Sequence, residues 1–389
     1  MLNSLLMSTI AESGMGMPSR QTSVKVCLSG DVMTGRGIDQ ILPHPCDPGI
    51  HEPVVTSANE YVRMAEQTNG PIARPVNLEY IWGAALEELK HERPDAYIVN
   101  LEVSITHSND YLPKGINYRM SPENAACLPS AGVDCCTLAN NHILDWGYAG
   151  LRETLATLEH LGIRTAGAGQ DLVSARAPAV LGVGENRRVI VFALASVTSG
   201  TPRNWAAEWH TPGVNLLADL SDKSAMQLGR EVAQIRRPGD IVIVSIHWGP
   251  NWGYHVPREQ REFARRLIDE SDASAVFGHS SHHAKAIEIY QDRLILYGCG
   301  DFLNDYEGIT GYEGYRGDLA LLYAASFDTV SKELIELEIV PFQIRRFHLT
   351  RASSEDTAWL QETLDRQSRR FAVHIESKSA GRLAVSWTK

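Results

Sequence analysis

Residues 24–31 read Val24-Lys25-Val26-Cys27-Leu28-Ser29-Gly30-Asp31, an apolar, β-branched run that ends in a glycine and a carboxylate. Four further apolar runs are followed by polar clusters in the same way, namely Asn100-Leu101-Glu102, Asn140-Asn141-His142, His247 and Gly278-His279-Ser280-Ser281-His282. Apolar runs of this length, with helical segments between them, predict buried parallel strands. The ligand site of an open α/β sheet lies beyond the carboxyl ends of its strands. We therefore expect these distant segments to bring Asp, Glu, Asn and His side chains to one place.

Such a set of side chains is typical of a metal site or of an acid–base site. Taken singly, each side chain also has a structural interpretation. Asp31 could cap a turn or a helix, and His247 could be a hydrogen-bonded core histidine. Asp145 lies three residues after His142, where it could orient that imidazole, and the structural alternative for this segment is the entry to a helix.

The composition limits the class of protein. Of the 389 residues, 43% are hydrophobic and 21% are charged, as is usual for a soluble globular protein. The net charge of −11 argues against nucleic acid as a partner. No window is apolar and long enough for a membrane span, and the six cysteines form no C-x-x-C pair. We therefore expect reduced thiols and a cytoplasmic location.

The pattern along the chain predicts one large domain with short extensions. Residues 1–22 are expected to be a disordered leader, because they lack the features of a signal peptide. The main domain is expected over residues 23–350, with irregular insertions at 40–80 and 198–215. Residues 351–389 are expected to form a C-terminal helical extension.

Two long segments late in the main domain have strand character. Arg316–Asp328 and Lys332–Phe347 are expected to be antiparallel strands that close a second sheet. The apolar periodicity predicts these longer helices: Tyr148–Leu161, Asp222–Arg236, Pro257–Ser271 and Thr357–Phe371.

Four further side chains are candidates for contact with a substrate. Arg36 and Arg119 could hold carboxylates or phosphates in bidentate pairs, and the alternative for Arg36 is a salt bridge that holds its own loop. Trp248 and Trp252 would suit a wall that receives a peptide. The alternative for both rings is ordinary anchoring of loops.

The motifs, in this order, resemble those of the CapA family of capsule and poly-γ-glutamate synthesis proteins, whose fold is similar to that of calcineurin-like metallophosphoesterases. The resemblance covers roughly Val24 to Leu322 and rests on the segments Gly30-Asp31-Val32-Met33-Thr34-Gly35-Arg36, Asn100-Leu101-Glu102, Asn140-Asn141-His142-Ile143-Leu144-Asp145-Trp146-Gly147, His247-Trp248-Gly249, Gly278-His279-Ser280-Ser281-His282 and Tyr297-Gly298-Cys299-Gly300-Asp301-Phe302. It implies an α/β fold of the metallophosphoesterase type, an αββα sandwich of two mixed sheets flanked by helices.

The resemblance also implies roles for the matching residues. Asp31 matches the first-motif aspartate, and Glu102 stands where a bridging carboxylate would. Asn141 and His142 match a pair in which Asn binds metal and His protonates the leaving group. The implied metal ligands are Asp31, Glu102, Asn141, His247, His279 and His282, and the implied catalytic residues are His142, Asp31, Glu102, His247 and Asp145.

Met33 is the main departure from the two-metal enzymes, which have a His two residues after the first Asp. A thioether is a poor ligand for hard divalent ions, so one metal position is expected to be weakened. At position 301 this chain has Asp where the family usually has Asn. We expect at most one tightly held ion (Mn, Zn or Fe), and an empty site is the alternative.

Three functions are compatible with such a site. The first is metal-assisted hydrolysis of a peptide, a polyglutamate-like chain or a small phosphoester. The second is metal-independent acid–base chemistry by the same cluster, such as peptide epimerisation, because buried titratable groups shift each other's pKa. The third is a non-catalytic accessory role in polyglutamate or capsule synthesis.

Overall fold

The apolar run at residues 24–31 lies in strand β1 of a computed structural model that describes residues 23–388. The expected leader at 1–22 lies outside the described residues. The strands are β1 (Ser23–Val32), β2 (Ala96–Leu101), β3 (Ser104–Ile105), β4 (Arg119–Met120), β5 (Cys135–Thr137), β6 (Arg164–Ala166), β7 (Ala168–Gly169), β8 (Ala179–Gly182), β9 (Arg188–Ala195), β10 (Gly213–Val214), β11 (Ile241–His247), β12 (Ala275–His279), β13 (Ile287–Tyr290), β14 (Arg293–Leu296), β15 (Asp301–Leu303), β16 (Leu319–Asp328), β17 (Leu334–Arg345), β18 (His348–Arg351), β19 (Val373–Ser377) and β20 (Leu383–Trp387). The α-helices are α1 (Gly37–Ile41), α2 (Asn59–Asn69), α3 (Ala85–Glu92), α4 (Cys127–Ser130), α5 (Gly147–His160), α6 (Leu172–Arg176), α7 (Asp222–Ile235), α8 (Arg258–Ser271) and α9 (Ser354–Ser368).

Two mixed sheets form the centre of the fold. The first has ten strands, in the order β19-β20-β17-β16-β1-β2-β5-β6, with β15 also beside β1 and β18 beside β17. The second has six strands, in the order β13-β14-β12-β11-β9-β8. The expected parallel strands are confirmed, because β1, β2, β5 and β6 are parallel in the first sheet and β9, β11, β12 and β14 are parallel in the second.

Residues alternate between two apolar cores along strand β11. Ile241 and Ile243 belong to the core that also contains the first sheet, whereas Val242 and Val244 pack in a second core with helices α7 and α8. This is the two-residue period of a strand buried on both faces. His247 is an even number of residues from Ile241 and Ile243, so its side chain lies on the same face of β11, which faces the first sheet.

Helices flank both sheets, which confirms the predicted αββα sandwich. Helices α7 and α8 cover the second sheet, and α3 and α5 bury Leu89, Leu151 and Leu158 in the core of the first. The four predicted longer helices are observed within a few residues of their expected bounds. Among the helices between residues 23 and 388, none is long and apolar enough to cross a bilayer.

Two expectations for the C-terminal third need correction. Strands β16 and β17, expected to close the second sheet, belong to the first, because β16 pairs antiparallel with β1 along most of its length. The C-terminal segment contains helix α9 as expected, but it continues into β19 and β20, which extend the first sheet beside β17. Buried residues recur at every second position in both strands, at Val373 and Ile375 in β19 and at Leu383 and Val385 in β20. This two-residue period is that of a β-strand. Pairing partners are set by tertiary contacts that a local pattern does not encode.

Gly30 permits the close approach of β1 and the segment before β15. A Cβ atom at this position would lie 1.8 Å from the carbonyl oxygen of Gly300, and the Asp31 N–H donates to that same oxygen at 3.1 Å. The approach sets Asp31 beside Asp301, its partner in the parallel β1–β15 pair. Glycine is therefore required here for steric reasons.

We expect Gly30→Ala to destabilise the protein by about 1–3 kcal/mol or more, because backbone must move to relieve the clash. Urea unfolding measures the effect. Gly182→Ala is a matched control, because Gly182 is also a strand glycine and a Cβ there meets nothing within 4 Å. Equal midpoints for the two variants would contradict the steric role of Gly30.

Candidate metal centre

Asp31 is the buried residue from which the site is built. Its Oδ1 accepts a hydrogen bond from Asn100 Nδ2 at 2.7 Å, and its Oδ2 accepts one from the Ser280 N–H at 3.1 Å. Three strand ends or strand-end loops therefore meet at this carboxylate, as expected from the sequence. Burial, followed by the charge of Asp301, raises the pKa of Asp31 to about 7.

A first cluster of potential metal ligands consists of Asp31, His247 and His279, whose ligand atoms lie within 4.8 Å of one another. His247 Nδ1 lies 2.8 Å from His279 Nδ1, and His247 Nε2 lies 2.8 Å from the amide oxygen of Asn141. The Ser245 hydroxyl, two residues before His247 on the same strand face, contacts His279 Nε2 at 2.7 Å. The cluster thus joins the ends of β1, β11 and β12 with the loop after β5.

Burial keeps the imidazoles of the first cluster neutral. It lowers the pKa of His279 to about 3, and burial together with the neighbouring His279 lowers the pKa of His247 well below its usual value. Neutral imidazole is the form that binds a metal ion.

Glu102 supplies an oxygen that lacks a partner. Its Oε1 lies 3.6 Å from His142 Nε2 and 3.9 Å from His247 Nε2, whereas its buried Oε2 accepts no hydrogen bond from an N–H or alcohol group among residues 23–388. The Asp31 carboxyl is a hydrogen-bond partner of Glu102 only when one of the two carboxyls is protonated. Burial, and then the charge of Asp31, raises the pKa of Glu102 well above its usual value. A buried carboxylate oxygen without a donor is costly, and a divalent cation would relieve that cost. The donor set, of carboxylates and imidazoles, therefore fits a metal ion.

A second cluster consists of Asp31, His282 and Asp301, so that Asp31 is common to both clusters. His282 Nδ1 lies 2.9 Å from Asp301 Oδ1, and its Nε2 lies 3.0 Å from the amide nitrogen of Asn251. Asn304 Nδ2 donates to Asp301 Oδ2 at 2.8 Å. Burial alone lowers the pKa of His282, but Asp301 more than offsets this and raises it above the usual value. The second cluster is thus satisfied internally as an ion pair.

A third group of potential ligands lies on helix α3 and consists of Glu88, His91 and Glu92. Both carboxylates are hydrogen-bonded to the guanidinium of Arg382, and Glu92 also pairs with Lys25 at 2.8 Å. These contacts make it an ion-pair network that ties the C-terminal strands to α3.

His142 is held by a carboxylate and an ammonium group. Its Nδ1 lies 2.7 Å from Asp145 Oδ2, which also accepts the Tyr118 N–H at 2.7 Å. Lys114 Nζ lies 2.8 Å from Asp145 Oδ1 and donates to the carbonyl oxygen of Asn141. Burial, followed by the charge of Lys114, lowers the pKa of His142 to about 4. The Asp145 contact indicates that the proton of the neutral ring is on Nδ1, which leaves Nε2 directed toward Glu102.

Met33 belongs to neither cluster among the described residues. It is buried, and its sulfur accepts a hydrogen bond from the Tyr306 hydroxyl at 3.7 Å. Asp301 instead stands beside Asp31, and the predicted ligand set does not include this carboxylate. The expectation of at most one tightly held ion stays a prediction.

Both candidate arginines are hydrogen-bonded to protein groups that do not belong to either cluster. Arg36 is 3% exposed and its guanidinium binds Asp305, Glu52 and the Tyr61 hydroxyl. This placement corresponds to the loop-holding alternative. Arg119 donates to the carbonyl of Ser108 at 3.0 Å and to Asn109 Oδ1 at 2.9 Å, and it stacks on Trp146 at 4.1 Å.

The two candidate tryptophans lie on different sides of the fold. Trp248 follows His247 and therefore points to the opposite face, where it packs in the α7–α8 core and donates to the Tyr297 carbonyl at 3.1 Å. The two-residue period thus corrects its expected orientation toward a substrate. The ring of Trp252 lies 5.4 Å from that of His282, at the border of the second cluster.

Lys114 lies at the candidate site although the sequence did not single it out. It stands in an exposed loop between β3 and β4, yet its ammonium reaches the buried His142–Asp145 pair and lies 5.1 Å from the ring of Trp205. The contact with Trp205 brings the insertion at 198–215 to the edge of the site. A lysine in a polar loop has no local pattern that reveals such a contact.

Comparisons with known proteins give a consistent set of relatives. Residues 25–306 match the family model described as bacterial capsule synthesis protein PGA_cap. The chain is 46% identical to a probable polyglutamine synthesis accessory protein of Mycobacterium tuberculosis (strain H37Rv), over 93% of this chain and 96% of that protein. It is 28% identical to the PGA biosynthesis protein CapA of Bacillus subtilis (strain 168), over 53% of this chain and 52% of that one. A solved structure, of a phosphatase from Mycoplasma pneumoniae, aligns with a TM-score of 0.45 and 13% identity over 82% of this chain and 93% of that chain.

Proposed function

The chain belongs to the PGA_cap family of bacterial capsule synthesis proteins, and from this premise we propose that it is a metal-dependent hydrolase that acts in capsule or polyglutamate synthesis. The bond that it cleaves is an amide of a peptide or polyglutamate-like chain, or a phosphoester. Both bonds are split by a water that adds to a carbonyl or phosphoryl centre while a proton is given to the leaving group.

The observation that carries this proposal is a pair of buried carboxyl groups, of Asp31 and Glu102, that the first cluster provides with no cationic partner. The imidazoles of His247 and His279 are held neutral, and Asp301 is already paired with His282. Burial opposes the charge on Asp31 and Glu102, as their raised pKa values indicate. A divalent cation between these groups would favour both ionised carboxylates and would give Glu102 Oε2 its missing partner.

The first cluster is the better place for one ion. Asp31, His247 and His279 would hold it, with Glu102 and the amide oxygen of Asn141 beside them. Mixed carboxylate and imidazole ligands suit Mn, Zn or Fe. When bound, the ion would supply Lewis acidity toward the substrate oxygen and toward the attacking water.

His142 is the proton-transfer residue in this proposal. Asp145 accepts the Nδ1 proton and fixes the ring, and Lys114 holds Asp145 in place from the other side. The unprotonated Nε2 atom lies on the side of Glu102, where it would accept a proton from the attacking water and then give that proton to the leaving group. Because the ring is almost fully buried, its orientation is set by these contacts rather than by solvent.

We expect His142→Asn to lower turnover by about 10²–10⁴-fold, the usual contribution of a positioned acid or base. The assay uses full-length protein loaded with Mn²⁺, and the substrates are bis(p-nitrophenyl) phosphate and poly-γ-glutamate. EDTA should abolish turnover, and metal should restore it. His160→Asn is the matched control, because that histidine is exposed at the end of α5. Turnover that survives both EDTA and His142→Asn would contradict the proposal.

Acid–base chemistry without metal is a second candidate, supported by one observation. The pKa of Asp31 is raised to about 7, and the imidazoles of His247 and His279 already satisfy one another and their neighbours through hydrogen bonds. A group with this pKa can abstract and return a Cα proton near neutral pH. Deuterium uptake from D₂O into a peptide, undiminished by EDTA, would favour epimerisation over hydrolysis.

An accessory role is the third candidate, and it is supported by the name of the mycobacterial relative. In that case the protein would bind its polymer without turning it over. Stoichiometric metal uptake without turnover on either substrate, together with binding of poly-γ-glutamate, would favour this candidate.

A further inference from the structure

A cavity of ≈ 370 Å³ lies beside the second cluster. The cavity is lined in part by Trp252, Asn304 and Tyr306. Each of these three residues also contacts the second cluster. Asn304 donates to Asp301 at 2.8 Å, and the rings of Trp252 and Tyr306 lie 5.4 and 5.3 Å from the ring of His282. A molecule in this cavity would therefore be in contact with the wall of the candidate metal centre.

The cavity has an aromatic and aliphatic wall that is open to solvent. Trp252 stacks on Tyr312 with ring centroids 4.2 Å apart and an interplanar angle of 6°, and it is also nearly parallel to the ring of His283. Tyr312 is 48% exposed and Ile309 is 44% exposed, although both are large apolar residues that line a concave surface. Apolar side chains exposed together in a cavity are typical of a ligand site.

The formal charge of the residues that line the cavity is acidic on balance, and its Arg316 is already bound to two carboxylates. The acidic lining residues are Glu307, Glu313 and Asp318, and the basic ones are Arg316 and Arg345. Arg316 binds Asp318 at 2.8 Å and Asp356 at 2.6 Å, and Arg345 Nε donates to Asn69 Oδ1 at 3.2 Å. A carboxylate or phosphate entering here would meet more negative than positive charge, and the main guanidinium is already bound to two carboxylates.

We propose that this cavity is a specificity subsite that binds an uncharged aromatic or aliphatic group of the substrate, next to the bond that is cleaved. The inference rests on the proposed hydrolytic function and narrows its substrate class. The substrate is then a peptide or a phosphoester that carries an apolar substituent at this position. A chain of glutamates alone would place a carboxylate against the acidic wall.

Titration of the full-length protein with three small probes tests the subsite. The probes are N-acetylphenylalaninamide, the corresponding glutamate derivative and the corresponding lysine derivative, and binding is followed by NMR chemical-shift changes. We expect the phenylalanine probe to bind at least about 10-fold more tightly than either charged probe. Tighter binding of the glutamate or lysine probe would overturn the proposal.

Variants at Tyr312 locate the binding. Tyr312→Ala is expected to weaken binding of the phenylalanine probe by roughly 3- to 10-fold, the usual range for one aromatic contact, and Tyr312→Phe should retain it. Trp209→Ala is the matched control, because Trp209 is 68% exposed and is not among the residues that line the cavity. An equal loss in Trp209→Ala, or none in Tyr312→Ala, would contradict the assignment.

Added Mn²⁺ separates the two proposals. If the cavity adjoins a metal centre, protein-bound Mn²⁺ will increase the relaxation rate of the bound probe's protons. If the protein takes up no Mn²⁺ but Tyr312-dependent binding persists, the hydrolytic centre is refuted and the subsite stands. If Mn²⁺ binds and the probe does not, the subsite is refuted and the centre stands.

Discussion

Replacing Asp31 with asparagine is expected to weaken divalent-metal binding by at least about 100-fold. Mutation of residues that merely orient ligands already costs 10- to 100-fold in metal affinity, and Asp31 is itself a potential ligand common to both clusters. Isothermal titration of EDTA-treated protein with Mn²⁺ measures the effect. The substitution keeps the shape of the side chain but removes the charge that a cation would need.

Asp301→Asn is the matched control for this prediction, because Asp301 is equally buried and pairs in register with Asp31. If the ion binds in the first cluster, this variant should keep a dissociation constant within a few-fold of the parent. Loss of binding in Asp301→Asn alone would instead place the ion in the second cluster. Thermal unfolding in EDTA shows whether the variants are folded. Asp31→Asn is expected to lower that midpoint slightly, because its amide nitrogen would face one of the two N–H donors that bind the Asp31 carboxylate.

Arg36→Ala is expected to destabilise the fold by about 3–5 kcal/mol, because it leaves buried carboxylates without their cation. The guanidinium binds Asp305 and Glu52, whose side chains are 0% and 6% exposed, and it stacks on Tyr61 at 3.9 Å and Tyr118 at 4.4 Å. Urea unfolding at neutral pH measures the loss.

The exposed pair Arg258–Glu262 supplies a control for Arg36→Ala. Both side chains are at least 60% exposed, so Arg258→Ala should cost no more than about 1 kcal/mol. If Arg36→Ala were as mild as this control, the network around Arg36 would not be structural, and a role in substrate contact would regain support.

Much of the site could be predicted because strand ends are visible in a sequence. A buried strand is an apolar run, and polar residues that end such a run lie at the sheet edge where ligands bind. The strand-end pattern predicted that five side chains lie close together, and the structure places them around one centre. They are Asp31, Glu102, Asn141, His247 and His279. The resemblance to the CapA family, which rests on the same motifs, is confirmed by the family match over residues 25–306.

Other features depended on which elements become neighbours. The pattern predicted strand character at β16 and β17, but only the structure placed them beside β1 rather than in the second sheet. For Arg36 the sequence left open an anion contact or a loop-holding salt bridge, and the fold supplied the partner Asp305 across 269 positions of sequence. Trp248, which follows β11, was a candidate for a substrate wall, and the structure packs it instead in the core with α7 and α8.

The sequence by itself determined the parallel strands and the identity of the strand-end side chains, because hydrophobic periodicity and turn chemistry are local properties. The αββα class was implied by the resemblance of the motifs to the CapA family. The tertiary structure alone decided that Asp31 is common to two clusters, that Lys114 holds Asp145, and that Glu102 Oε2 is left without a donor. These features depend on distances between segments far apart in the chain. They arise only when the sheets pack and exclude water, and water exclusion is what makes an unpaired carboxylate oxygen costly enough to indicate a cation.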